Sequence, residues 1–257
     1  MLTKYGCISK YGLQSIRYHV QSIKDLAIII DHFERYPLIT QKRSDYELFK
    51  QVFYIIKNKE HLTMDGLNKI VAIRASWNLG LSVAARIKAA FPAIIPIQRP
   101  LTLDQKISDP YWLAGFTTGE GCFFVSIPKS KSHKLGTVIQ LRFHLAQHNR
   151  DSQLIESLVE YLGCGKVYRR SGAVDFTVTT FSDLTCKVLP FFLEHLIEGV
   201  KSKDFEDFCK VADIMKEKGH LTTEGWAPRL KYLKSKRGWT EEDQTEGTYK
   251  GVYQNFV

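Results

Sequence analysis

The chain is poorly equipped for disulfide chemistry, structural zinc or a membrane span. Its five cysteines, Cys7, Cys122, Cys164, Cys186 and Cys209, are odd in number and form no Cys-x-x-Cys pair. That spacing excludes a disulfide framework or a zinc cage as the organising principle and fits a reducing compartment. No apolar run approaches the roughly 20 residues a membrane-spanning helix needs. The strongest, Leu26-Ala27-Ile28-Ile29-Ile30, reads as a buried helix segment. The N-terminus has neither an apolar signal-type stretch nor an Arg/Ser-rich presequence. Acid is in short supply: 27 Asp and Glu stand against 36 Lys and Arg, a formal net charge of +9. The imbalance points to a polyanionic partner, and without a span nucleic acid is favoured over an anionic membrane. Proline is scarce as well, eight in all, yet Pro92, Pro96, Pro100 and Pro110 crowd into residues 92–110, which reads as a linker. The 44% hydrophobic and 25% charged content is that of an ordinary globular protein, and 257 residues suffice for one large or two small domains.

The chain also repeats itself. Lys24-Asp-Leu falls on Ser182-Asp-Leu, Phe33 on Phe191 and Leu38-Ile39 on Leu196-Ile197. After one extra residue in the second copy, Lys42-Arg-Ser-Asp-Tyr-Glu-Leu-Phe49 falls on Lys201-Ser-Lys-Asp-Phe-Glu-Asp-Phe208. Lys59-Glu-His-Leu-Thr-Met-Asp-Gly66 then falls on Lys218-Gly-His-Leu-Thr-Thr-Glu-Gly225. Two generic amphipathic helices do not account for the shared Lys-x-His-Leu-Thr-x-(Asp/Glu)-Gly. The order of the matches predicts two similar units related by a pseudo-twofold axis.

Periodicity supplies the elements. Residues 5–21 read as a hairpin about Gly12, with Ile16, Tyr18 and Val20 alternating against Ser15, Arg17 and His19. Helices are expected at 24–36, stopped by Pro37, at 44–58 with Ser44 as N-cap, and at 63–78 begun by Thr63. The second unit reads helix, strand, strand, helix, strand, strand, helix. Its strands fall near 121–129, 137–147, 165–170 and 173–180, with helices at 151–162, 182–195 and 204–216. Pro228 is expected to shorten or kink a last helix, and the tail after Gly238 to be loose. The layout is α+β: residues 1–91 form a first unit, 92–110 a linker, 111–237 a second unit and 238–257 a tail.

Alternation predicts the faces of the second unit's sheet. Leu141, Phe143, Leu145, Val167, Val174, Phe176 and Val178 point to the helices. Gln140, Arg142, His144, Lys166, Tyr168, Arg170, Asp175, Thr177 and Thr179 point away. Cys122, Phe124 and Ser126 join that outer face, and Lys129 and Lys131 sit in a basic loop suited to phosphate contacts. Any half-exposed sheet carries polar residues on its free face, so this pattern alone leaves solvent and nucleic acid both open as its partner.

One segment speaks to chemistry. Trp112-Leu-Ala-Gly-Phe-Thr-Thr-Gly-Glu-Gly121 reads as a short helix whose Gly115 and Gly119 leave a bare face and which ends on a lone acid, Glu120. A carboxylate at the negative end of a helix dipole needs positive compensation, for which a hard divalent cation is a candidate. The alternative is an amphipathic helix capped by Gly121 with Glu120 solvated. The motif resembles that of the LAGLIDADG homing endonucleases, in the two-motif branch encoded by fungal mitochondrial introns, and together with the repeat the resemblance covers residues 5–237.

The resemblance implies αββαββα units with antiparallel DNA-binding sheets, and a monomer of pseudo-twofold symmetry acting on double-stranded DNA with Mg2+ (or Mn2+). It implies that Glu120 and the Gly119 carbonyl bind metal, that Gln147 orients water, and that Lys201, with its repeat partner Lys42, polarises the active-site solvent. The outer sheet face becomes the DNA saddle, joined from the first unit by Ser15, Arg17 and His19, and the location implied is the mitochondrion. An intron RNA maturase, or an inactive DNA- or RNA-binding remnant of the same fold, is the alternative function. The repeat offset carries Glu120 back to a position before residue 1. The first unit of this sequence is therefore expected to lack its own acid-ended helix and first two strands, and this chain alone to nick DNA at best.

Overall fold

The computed structural model describes residues 2–13, 15–77, 89–102, 104–132 and 136–218. The chain divides into two compact units, Met1–Lys106 and Ile107–Val257, the boundary falling inside the proline-rich segment. Expectations for Asn78, His133, Lys134, the second copy of the turn motif at 219–225, Pro228 and the tail lie outside the described residues.

In the first unit, β1 (Cys7–Tyr11) and β2 (Ser15–His19) pair antiparallel from Cys7 opposite His19 to Tyr11 opposite Ser15, turning at Gly12 with φ 69°. Three helices follow: α1 (Ile23–Arg35), α2 (Lys42–Lys57) and α3 (Met64–Ser76). Their core includes Ile30, Ile39, Leu48, Phe53 and Ile73. Helix α2 begins two residues before the expected start, so Ser44 is not its cap. Ser44 is buried, and its hydroxyl donates to the Pro100 carbonyl at 2.7 Å. The described part of the proline-rich segment is likewise fastened rather than loose. The Ser76 hydroxyl donates to the Ile97 carbonyl at 2.5 Å, and Arg99 pairs with Asp45 at 2.7 Å.

The shared turn motif has a structural explanation. Lys59 takes a left-handed conformation (φ 61°) that ends α2, a single 3₁₀ turn spans Glu60–Leu62, and Thr63 caps α3 by accepting from the Gly66 amide at 3.1 Å. A Cβ on Gly66 would lie 2.0 Å from the Glu60 carbonyl oxygen, so no other residue fits there. In the second unit Lys218, the repeat partner of Lys59, is the other described non-glycine residue at positive φ (56°). Such a conformation is unfavourable for lysine. Replacing Lys59 or Lys218 by glycine is therefore expected to stabilise its unit by about 0.5–1 kcal/mol, read as a higher midpoint in thermal unfolding. A lower midpoint would show that the lysine side chain contributes more than its backbone costs.

The second unit opens with α4 (Pro110–Glu120), where Asp109 caps the helix by accepting from the Tyr111 amide at 2.8 Å and Pro110 takes the first position. It continues with β3 (Gly121–Ser126), β4 (Gln140–His148), α5 (Ser152–Leu162), β5 (Lys166–Arg170) and β6 (Ala173–Val178), the strands lying in the order β3-β4-β6-β5. The strands are shorter than expected, although an isolated bridge between Lys129 and Thr137 prolongs the β3–β4 ladder. The helix expected at 182–195 is present as an unbroken run that carries a π segment: α6 (Phe181–Asp183), the π stretch Leu184–Val188, and α7 (Leu189–Glu194). Pro190 lacks an amide proton and crowds the carbonyl four residues back, and widening the preceding turn relieves that clash. Last comes α8 (Lys201–Lys216), beginning three residues before the expected start.

One sheet face meets the helices through a stack of aromatic rings. Phe123 lies 5.1 Å from Phe143 and 5.4 Å from Phe208, and Phe143 lies 5.3 Å from Phe192. Helix α8 packs on β3, and α5 packs on β4 and β6. Among the described residues no helix is long and apolar enough to cross a membrane.

Candidate catalytic helix end and nucleic-acid interface

Helix α4 runs directly into β3, and the junction depends on Gly121. A Cβ there would lie 2.4 Å from the Thr117 methyl and 2.8 Å from the Thr117 carbonyl oxygen. The tight join fixes Glu120 at the helix end, where it is exposed, with Gly119 exposed beside it. A Cβ at Gly115 or Gly119 would meet nothing within 4 Å, so this helix face is open.

The positive charge required at that end is present as a lysine. Lys201, the first residue of α8, extends its ammonium to three carbonyls at the end of α4: Thr117 at 3.3 Å, Gly119 at 3.1 Å and Gly121 at 2.5 Å. A cation at the start of α8 opposes that helix's own dipole, and these carbonyls at the negative end of α4 explain its presence. Burial lowers the Lys201 pKa below the ordinary lysine value, opposed by the negative fields of Cys122, Glu120 and Asp204. Burial pushes the Cys122 thiol up, with Lys201 drawing it back.

Gln147 lies on β4 two residues beyond Leu145, the partner of Gly121 in the ladder, and opposite Val174. Carrying the β3–β4 register two residues back from Gly121 brings it level with Gly119, at the end of the sheet where α4 stops. Lys42 occupies in α2 the position Lys201 occupies in α8, first residue of a 16-residue helix, and it is exposed.

Among the described residues no three or more His, Cys, Asp or Glu side chains are grouped to hold a metal ion. The end of α4 instead offers one carboxylate, Glu120, and one carbonyl, Gly119. These are hard oxygen donors of the kind Mg2+ accepts while keeping waters or phosphate oxygens in its other positions. The donor set fits such an ion, and Lys201 already shares the Gly119 carbonyl.

The free face of the second unit's sheet carries the expected side chains. Gln140, Lys166, Tyr168, Arg170 and Thr179 are exposed, and Cys122, Phe124, Ser126, Arg142, His144 and Thr177 are half-buried. Arg142 lies over the Phe124 ring at 5.5 Å from its centroid. Lys129 and Lys131 are exposed on the prolonged hairpin, whose loop end is held by the Ser130 amide donating to the Gly136 carbonyl at 2.8 Å.

Asp175 departs from the expectation. It is on the free face yet only 6% exposed, because side chains rather than a helix cover it. Arg170 binds it through Nε to one carboxylate oxygen and through Nη2 to the other, the latter at 2.7 Å, and His144 Nε2 approaches at 3.2 Å. Burial works against its charge, but the Arg170 hydrogen bonds and His144 outweigh that and hold the carboxyl below its usual range. Burial, with Arg170 and Arg142 nearby, keeps the His144 imidazole below its ordinary pKa despite Asp175.

In the first unit Ser15 and Arg17 are exposed, and Arg17 stacks on Tyr11 at 3.6 Å. His19 is half-buried, its Nδ1 without a hydrogen-bond partner among the described residues. The apolar residues Ile8 and Ile16 of this hairpin are 66% and 77% exposed.

Periodicity could not have revealed the carbonyl cluster that receives Lys201, whose members are backbone atoms 80 to 84 positions away. The Arg170–Asp175 pair did leave a signal. The Ser171-Gly172 turn sets Tyr168 opposite Asp175 and Arg170 opposite Ala173, which makes Arg170 and Asp175 diagonal neighbours on one face.

A family model described as LAGLIDADG endonuclease matches residues 1–53 and 113–212. Two proteins of Neurospora crassa are similar. Probable intron-encoded endonuclease 3 is 45% identical over 213 residues, covering 82% of this chain and 39% of that protein. Probable intron-encoded endonuclease 2 is 37% identical over 234 residues, covering 86% of this chain and 50% of that protein. The chain thus spans half or less of the length of these relatives. The solved structure of I-SmaMI bound to an uncleaved DNA target with calcium ions superposes with a TM-score of 0.86 at 43% identity, covering 93% of this chain and 82% of that one. A variant of I-SmaMI with two lysines replaced by alanine superposes at 0.85 and 41% identity, covering 94% and 81%.

Proposed function

The chain belongs to the LAGLIDADG endonuclease family, and on that premise we propose that it is a site-specific homing endonuclease that hydrolyses phosphodiester bonds of double-stranded DNA. The observation that carries this reading is the Lys201 ammonium on the last carbonyls of α4 beside the exposed Glu120. Cleaving a phosphodiester requires negative charge to hold a metal and positive charge to stabilise the developing anion. The end of α4 joins an acid, the Gly119 carbonyl and a cation reaching in from α8.

In this reading Glu120 and the Gly119 carbonyl hold Mg2+ (or Mn2+), which when bound supplies a Lewis acid at the phosphoryl oxygen. Gln147 orients water at the sheet edge, and Lys201 contributes fixed positive charge. Lys42 does the same for the first unit. In support, the two lysines replaced in the I-SmaMI variant are separated in sequence by the same distance as Lys42 and Lys201. The free sheet face takes the DNA, consistent with the +9 charge and with the DNA held by I-SmaMI. A fungal mitochondrion is the expected location, since the similar proteins are intron-encoded and fungal.

The test begins with selecting a target from randomised double-stranded DNA, then assaying nicking and double-strand scission with Mg2+. Glu120→Gln is expected to keep DNA binding and lose at least 99% of strand cleavage, nicking included, about a hundredfold. Undiminished scission by this variant would remove Glu120 from the mechanism. Specific binding to intron RNA without DNA scission would favour a maturase instead.

A further inference from the structure

An aspartate on a face meant for DNA is a liability unless it does something there, because it repels phosphate. Asp175 is the acid on the otherwise basic and polar outer face, and it is buried under the two cationic or potentially cationic side chains it contacts, Arg170 and His144. Its contact with Arg170 is side-on. Nε and Nη2 both address the carboxylate, while the Arg170 side chain keeps 55% of its surface exposed. A guanidinium gripped along that side points its terminal edge, one N–H of Nη1 and the second N–H of Nη2, away from the aspartate. That terminal edge is the fork that matches the O6 and N7 of guanine in the major groove. A free arginine on an edge strand such as β5 would sample many rotamers and reach phosphates as readily as bases; the carboxylate removes that freedom.

We infer that Asp175 is a positioning residue which locks Arg170 as a reader of a single guanine in the target, with His144 meeting the same carboxylate at Oδ1. The inference rests on the proposed DNA-binding function and adds what that reading leaves open: which side chain selects a base and which base it selects. A plain surface ion pair would produce the same burial of Asp175, but it would not couple the two residues to the base at one position.

Selection from a randomised double-stranded DNA pool with calcium present, carried out on the full chain, separates these cases. Asp175→Asn removes one of the two carboxylate acceptors with little change of shape. Arg170→Lys keeps the charge at the half-exposed edge but lacks the fork. Unfolding midpoints of both variants accompany the selections. The wild-type consensus is expected to contain a guanine whose preference over other bases falls about tenfold or more in both variants, other positions holding. A consensus unchanged by either variant overturns the inference, as does a uniform loss of binding at every position, which would make Arg170 a phosphate anchor. Failure of the wild-type chain to select any sequence would sink the proposed function and this inference with it. A wild-type consensus that Asp175→Asn leaves intact sinks only the inference.

Discussion

Replacing Lys201 by methionine is expected to lower DNA scission by about two orders of magnitude or more while leaving selective DNA binding in place. The ammonium meets the carbonyls of Thr117, Gly119 and Gly121 at the point where Glu120 leaves the helix. Three acceptors at the negative end of α4 lose their cation together. Methionine keeps the aliphatic length, so the packing of the stem survives and the change is mainly electrostatic. Loss of charged hydrogen bonds at a half-buried site is expected to cost about 1–3 kcal/mol of stability, lowering the unfolding midpoint by a few degrees. The two effects separate by temperature. If scission returns when the assay is run well below the lowered midpoint, Lys201 is only the cap of α4. If scission stays low in the fully folded variant, its charge takes part in the reaction. Lys42→Met in the first unit gives the comparison, since that lysine occupies the same helical position without such a described carbonyl cluster.

The parts of the fold that sequence made legible are those governed by local rules. Helices α2 and α8 match in length because their apolar spacing and first lysine repeat, and α4 was readable from its small residues and terminal acid. Sheet faces followed from strict alternation, so Phe143, Phe176 and Val178 are buried as expected. What escaped depended on atoms distant in sequence or on competition between rules. Ser44 looked like a cap, but its hydroxyl is drawn away to Pro100, 56 positions on. Pro190 lay inside a good helical pattern and yielded a π turn rather than a break. Asp175 obeyed the alternation and is still buried, because Arg170 and His144 fold over it. Sequence placed a divalent ion and Lys201 at this helix end, but not the backbone carbonyls that receive the ammonium.

Gly165→Ala is expected to be among the most destabilising single substitutions, at about 2–5 kcal/mol. The residue sits at φ +89°, where an L side chain is strained, and an added Cβ would lie 2.5 Å from Cε2 and 2.6 Å from Cζ of Phe176. Phe176 is fully buried beneath β6 and touches the Phe143 ring edge-on, so it has no open side to retreat to. Gly163 provides the control. It is also left-handed, at φ +64°, but a Cβ there meets nothing within 4 Å. Gly163→Ala should therefore show the backbone strain alone, about 1 kcal/mol, and the difference between the two variants measures the clash. Equal midpoints in thermal or denaturant unfolding would mean that the Phe176 ring yields at little cost, and the core under β6 would be softer than its burial implies. A large difference carries a consequence for the outer face. Asp175 and Thr177 flank Phe176 on the same strand, so a ring forced out of place shifts the backbone that aims them. Gly165→Ala protein that remains folded at low temperature should then bind DNA with weakened base preference, although position 165 lies outside the sheet face itself.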